Sequence, residues 1–295
     1  MNLFNKITID DREIINKYLI QDNNLSCEFS FGNNILWDAD SKLSYTIYND
    51  VLIYRMNYDE LVYCVPDFRE KAEEVLKFID EDASDMGRKY RITCLSENMV
   101  REIKEISDAY EFNMERDRCD YIYDLLELKE LKGKKFHKKK NHLNKFLQNY
   151  EFTYEEINEG NIRECLEMKN IWMKSREMDE SLEFESRAID YAFANYEKFD
   201  FLGGLIRIDK YVAAFTMGER LGSDIFVTHF EKGLDEIDGI YVAMNQQFSE
   251  YLYDKGYRYV NREDDLGLPG LRQAKLSYRP YVIYEKYTAC NKTLE

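Results

Sequence analysis

The stretch Asn261–Pro280, NREDDLGLPGLRQAKLSYRP, gathers groups able to do chemistry. Three consecutive acids, Glu263, Asp264 and Asp265, precede a bend containing Gly267, Pro269 and Gly270. Beyond the bend come Arg272, Lys275, Tyr278 and Arg279. Transfer of an acyl group from an ester needs a base for the attacking hydroxyl or amine, donors for the tetrahedral oxyanion, and an acid for the leaving oxygen. One of the acids supplies the base and another a counter-ion for a substrate ammonium. Lys275 and Arg272 supply oxyanion or phosphate donors and Tyr278 a proton donor, provided the bend folds the two halves together. The three acids follow a strand end, where α/β sites gather, and Asn261 is read with the substrate-binding groups. The same residues also read as a solvated loop closed by acid–cation pairs.

A second concentration lies at Lys132–Lys145, KGKKFHKKKNHLNK, with seven lysines, no acid, and His137 and His142. The chain carries a net charge of −16, which argues against general binding of polyanions, so this local reversal of sign marks a focused anion site. Lys138, Lys139, Lys140 and Asn144 are placed to grip a phosphate backbone, with Asn141 or His142 nearer a reacting centre. If the segment is helical, Lys138, Asn141, His142 and Lys145 share a face and His137 points elsewhere. Phe136, Leu143, Phe146 and Leu147 then anchor it. A solubilising helix is the plain alternative, and the two readings are compatible. His229, beside Glu231 in DIFVTHFEKG, reads as a satisfied core histidine rather than a base. Six scattered cysteines without C-x-x-C spacing read as free thiols, and no metal-ligand spacing is present.

The elements that position these groups follow from periodicity and punctuation. KLSYTIYNDVLIYRMNY predicts a hairpin turning at Asn49-Asp50, followed by a strand at 61–65 and an amphipathic helix opened by Pro66-Asp67 and ending before Gly87. A strand at 90–95 and a helix at 97–106 come next. The second half predicts helices at 162–174 and 183–196, a hairpin at Asp209-Lys210, a strand at 223–230, and a helix over 239–255 closed by Gly256. Strands follow at 257–262 and 281–287. Both halves run hairpin, strand, long helix, Gly, strand, which suggests a duplicated α/β domain. The acids in MNLFNKITIDDREIINKYL exclude a signal or transit peptide, and no apolar run approaches the ~20 residues of a membrane span. On this reading the protein is cytoplasmic.

GKKFHKKKNHLNKF and NREDDLGLPGLRQAKLSYRP, in that order after an N-terminal α/β half, resemble the stand-alone proteins related to the C-terminal domain of bacterial phosphatidylglycerol lysyltransferase. The resemblance implies an α/β fold (α+β, mixed sheet) of two tandem GNAT-like acyltransferase domains. These are expected over 1–130 and 131–295, the second carrying the active site. It further implies transfer of an aminoacyl group from aminoacyl-tRNA to a lipid hydroxyl or a small amine or hydroxyl acceptor. A tRNA acceptor stem is then a partner, and the inner face of the membrane a place of peripheral association. Acetyl-CoA enzymes of this fold bind pyrophosphate through a Gly-rich turn feeding a helix. The corresponding entry here, EKGLDEIDGIYVAMNQQ, lacks an R/Q-x-x-G-x-G run and sets Asp235, Glu236 and Asp238 where the pyrophosphate would lie. Those acids disfavour CoA and suit the free ammonium of an aminoacyl donor. No cofactor is then expected. A CoA-dependent N-acyltransferase and a non-catalytic ligand-binding protein are the alternatives.

Overall fold

The computed structural model describes residues 3–20, 24–38 and 42–292. The chain forms two compact units: one takes the residues up to Asp120 with Asp264–Leu268 and the stretch from Ile283 onward, the other takes Tyr121–Glu263 and Pro269–Val282.

In chain order the strands are β1 (Asn5–Lys6), β2 (Leu43–Tyr48), β3 (Val51–Asn57), β4 (Leu61–Cys64), β5 (Tyr90–Leu95), β6 (Tyr110–Met114), β7 (Asp120–Asp124), β8 (Phe152–Glu156), β9 (Leu202–Ile208), β10 (Tyr211–Arg220), β11 (Ile225–Gly233), β12 (Tyr259–Asn261), β13 (Val282–Tyr284) and β14 (Tyr287–Asn291). They form two mixed seven-stranded sheets, ordered β1-β2-β3-β4-β5-β14-β6 and β13-β7-β12-β11-β10-β9-β8. Each sheet has the same centre: an antiparallel hairpin and a third strand, then a helix that crosses to a parallel neighbour. In the first sheet β4 and β5 are the parallel pair, joined through the helix Ala72–Asp85. In the second they are β11 and β12, joined through Ile240–Asp254. The two halves repeat one α/β arrangement, as the shared grammar of the sequence suggested, and it is the GNAT-like one that the family resemblance implied.

Local chemistry accounts for the elements. Asn49 and Asp50 both take positive φ, +45° and +66°, so the two-residue turn matches the twist of its strands and sets Tyr48 opposite Val51. The first unit closes over Val51, Ile53, Leu61, Tyr63, Val75, Ile79 and Ile92, all fully buried or nearly so. In the second unit Ile240, Ala243, Met244, Phe248 and Leu252 turn one face of their helix inward and are buried, as are Phe215, Met217, Phe226 and Val227 on the sheet. Each large apolar side chain so buried contributes about 1.5–3 kcal/mol.

Three elements differ from expectation. The helix expected from Pro66 begins at Ala72. Asp67 Oδ1 accepts from the Arg69 amide at 2.9 Å, and Arg69 and Glu70 are left-handed, so this side-chain turn outcompetes the first helical turn. The bend at Leu266 and Gly267 exists, both with positive φ, but the residues after it form a helix, Pro269–Leu276, rather than a loop. Proline suits the first turn because its missing N–H has no intrahelical partner there. The single strand expected over 281–287 is two, β13 and β14, separated at Glu285-Lys286, and β14 belongs to the first sheet.

Candidate active site

The second sheet opens where its parallel pair ends. β11 and β12 pair from Ile225↔Tyr259 to Val227↔Asn261 and no further, while β11 runs on beside β10 to Gly233. At the same level the β10–β11 register shifts between Met217↔Phe230 and Gly218↔Thr228, leaving His229 as the extra residue of a bulge. Gly218 permits this: a Cβ there would meet the Val227 carbonyl oxygen at 1.9 Å.

The bulge delivers His229 into a gap between two carboxylates. Its Nδ1 lies 2.9 Å from Glu263 Oε1 and its Nε2 lies 3.0 Å from Glu219 Oε1. The ring is completely buried. Burial opposes its charge, but the hydrogen bonds and fields of Glu219 and Glu263 prevail and raise the imidazole to about 9. At neutral pH it is an imidazolium donating to both acids. Asn261, itself buried, accepts from the Glu263 amide through Oδ1 at 2.7 Å and holds Glu263 in a left-handed turn, φ +58°. Its role here is to set that turn.

Beside this triad stands a second group. Arg262 Nη2 donates to Glu231 at 2.9 Å, and the guanidinium lies 5.1 Å from the Tyr278 ring centroid and 5.7 Å from that of Tyr123. Lys139 Nζ lies 3.6 Å from the Tyr278 centroid. Burial, and then the charge of Arg262, lower Lys139 to about 8. Burial pushes Tyr278 well above its ordinary range, so it stays protonated. Lys275 Nζ donates to the Arg262 carbonyl at 2.6 Å, and the Tyr123 hydroxyl donates to the Lys275 carbonyl at 2.9 Å, which docks the helix Pro269–Leu276 here.

The structure thus brings Glu263, Asn261, Lys275, Tyr278 and Lys139 together and sets the remaining expected residues elsewhere. Lys138, Lys140, Asn141, His142 and Asn144 lie on the helix His137–Asn149 with their side chains exposed, so of the triple lysine only the middle member turns inward. Arg272 is half-buried. Asp264 and Asp265 belong to the first unit, where Asp265 is fully buried 3.5 Å from Arg116 and accepts from the Gly267 amide. Asp264 accepts from the Leu266 amide at 3.3 Å.

The start of the helix Ile240–Asp254, where pyrophosphate would bind in a CoA enzyme of this fold, is covered. A Cβ on Gly239, at φ +85°, would come within 2.8 Å of the His142 carbonyl oxygen and 3.0 Å of the Phe146 Cβ, so glycine alone allows the basic helix this close. Asp238 lies 3.7 Å from His142 Nδ1, and Asp235 pairs with Arg176 at 2.5 Å.

The first unit holds its own charged cluster. Cys27, Glu28 and Asp120 bring potential ligand atoms within 4.8 Å of one another. The buried Lys286 ammonium stands among them, 2.7 Å from Glu28 and 2.9 Å from Asp120, so a fixed cation already answers these acids. A cavity of about 210 Å³ adjoins it, lined in part by Glu28, Trp37, Tyr54, Cys94 and Arg118.

Glu219, Arg262 and Tyr123 escape a reading by sequence. Glu219 leaves a trace: a carboxylate ending the apolar strand YVAAFTMGE, next to a glycine, calls for a buried partner. Arg262 sits inside the motif but is overshadowed by the acids that follow it.

Comparisons with known proteins agree with this architecture. The family model for the phosphatidylglycerol lysyltransferase C-terminal region matches residues 23–290. A conserved protein of unknown function from Bacteroides thetaiotaomicron VPI-5482 is 34% identical, superposes with a TM-score of 0.92, and is covered over 100% of its length by 99% of this chain. L-PGS from Bacillus licheniformis superposes with a TM-score of 0.70 at 14% identity, over 99% of this chain and 94% of that one. The C-terminal DUF2156 domain from Agrobacterium fabrum gives 0.68 at 14% identity, over 96% and 93%. No curated protein sequence matches the chain. Among the described residues no helix is long and apolar enough to cross a membrane.

Proposed function

The chain belongs to the phosphatidylglycerol lysyltransferase C-terminal family, and on that premise we propose that it is an aminoacyltransferase, moving an aminoacyl group from aminoacyl-tRNA to a lipid hydroxyl or to a small hydroxyl or amine acceptor. Family and fold support an acyltransferase; the choice of donor rests on one observation, the covered start of the helix Ile240–Asp254. A CoA pyrophosphate needs the free amides at that helix start. The His142 carbonyl and the carboxylates of Asp235 and Asp238 stand there instead. They repel a polyanion.

In the proposed reaction Glu263 is the base. The His229 imidazolium, itself anchored on Glu219, fixes the direction of that carboxylate. Glu263 takes the proton of the acceptor hydroxyl or amine as the acceptor oxygen or nitrogen bonds to the ester carbonyl carbon. The tetrahedral oxyanion forms beside the Lys275 ammonium. Collapse breaks the bond to the ribose oxygen of the tRNA, and Glu263 returns the proton to that oxygen. Lys138 and Lys140, exposed on the basic helix, supply charge for the acceptor stem, with Asn144 on the same element.

A pair of binding measurements tests the donor. Millimolar acetyl-CoA leaves the melting temperature unchanged, whereas tRNA binds with an affinity that falls steeply with salt. A rise in melting temperature with acetyl-CoA and no tRNA binding at low salt would reverse the assignment.

A further inference from the structure

Arg262 and Lys139 carry more positive charge than their surroundings answer. Of the two terminal nitrogens of Arg262, Nη2 is bonded to Glu231, while Nη1 is buried without a hydrogen-bond partner. Lys139 reaches the same Tyr278 ring from the basic helix, which places the two cations within about 9 Å of each other. Among the described residues Glu231 is the one carboxylate paired with either. A buried guanidinium N–H left without an acceptor is costly, because it has lost water and gained nothing. Two cations against one acid add repulsion to that cost.

Both defects vanish if an anion accepts from Nη1 and faces the Lys139 ammonium. The planar guanidinium fork matches the paired oxygens of phosphate. The geometry points to an oxyanion site formed by Arg262 and Lys139 against Tyr278 and Tyr123, with phosphate as the ligand chemistry. It lies on residues other than the His229, Glu219 and Glu263 triad, and it stands whatever acyl donor the protein uses.

Calorimetric titration of the full chain at low salt with inorganic phosphate, pyrophosphate and acetate tests it. Phosphate and pyrophosphate bind in the millimolar range or tighter, and acetate binds more weakly. Lys139→Met lowers the phosphate affinity at least tenfold, while Lys134→Met, exposed just before the same helix, leaves it unchanged. Arg262→Gln alone strands Glu231, so the second variant is Arg262→Gln with Glu231→Gln, checked for cooperative unfolding, and it too loses binding. Three results would overturn the site: no heat or thermal stabilisation with phosphate or pyrophosphate, equal losses in Lys134→Met and Lys139→Met, or acetate binding as tightly as phosphate. Phosphate binding without aminoacyl transfer would contradict the function proposed above and leave this site standing.

Discussion

At the scale of single residues, the site is built on an imidazolium held between two carboxylates. Folding raises His229 from about 6.5 to about 9, so the folded state binds its proton more tightly than the unfolded chain does. The stabilisation this supplies is complete below about pH 6.5 and is lost as pH rises through about 9. It amounts to something on the order of 3 kcal/mol. Lys139 acts in the opposite sense: its folded value, about 8, lies below its ordinary 10.5, so it adds stability only as pH rises above about 8. The fall due to His229 is therefore cleanest between pH 6.5 and 8. Urea midpoints over that interval decline in the wild type and flatten in His229→Gln; a flat wild-type profile would remove the charged histidine from the account. Glu263→Gln keeps the size of the side chain and deletes the base. It lowers transfer about 100-fold or more. Nuclear magnetic resonance titration of His229 moves toward lower pH in the same variant, a change that loss of packing alone would not produce.

At the scale of elements, the bulge in β11 and the basic helix place the site. Gly239→Ala puts a Cβ against the His142 carbonyl and forces a side chain into the left-handed region. It costs about 2 kcal/mol or more. Gly256→Ala, at φ +99° with nothing within 4 Å, carries strain without a clash and costs about 1 kcal/mol. Equal urea midpoints for the two would show that the helices do not meet at Gly239. Because Lys138 and Lys140 point outward and Lys139 inward, alanine at either exposed position lowers the salt slope of tRNA binding by about 1. An unchanged slope in the double variant would exclude this helix as the RNA-binding element.

These elements also show what is legible in the amino-acid order. The Asn49-Asp50 hairpin and the helix Ile240–Asp254 announce themselves, because a turn needing positive φ and a buried helical face both leave local marks. The helix Pro269–Leu276 buries no residue, so it carries no apolar stripe to read. β14 joins β5 and β6 across a wide sequence separation, which no local spacing encodes. In the site, Glu263, Lys275 and Tyr278 come out of one motif. The partner Glu219 lies 44 positions before Glu263, and only the register shift at His229 makes the two meet. That shift also explains why His229, which looks like a core histidine, is buried and charged at once.

At the scale of the whole molecule, the two units share one order of elements, yet only the second places a hydrogen-bonded histidine at the mouth of its parallel pair. The first unit instead buries Lys286 against Glu28 and Asp120. The two units thus carry different interior chemistry on a common frame. The family supplies the frame and the class of reaction, and the covered start of the helix Ile240–Asp254 supports the proposed donor. The most direct measurement presents the purified chain with tRNA charged with each radiolabelled amino acid, together with extracted bacterial lipids and a small-metabolite pool. Label recovered in a lipid or small-molecule product, lost with Glu263→Gln and indifferent to acetyl-CoA, is the result expected. Label that stays on the tRNA throughout, with acetyl-CoA giving an acetylated product in the same mixture, would contradict it.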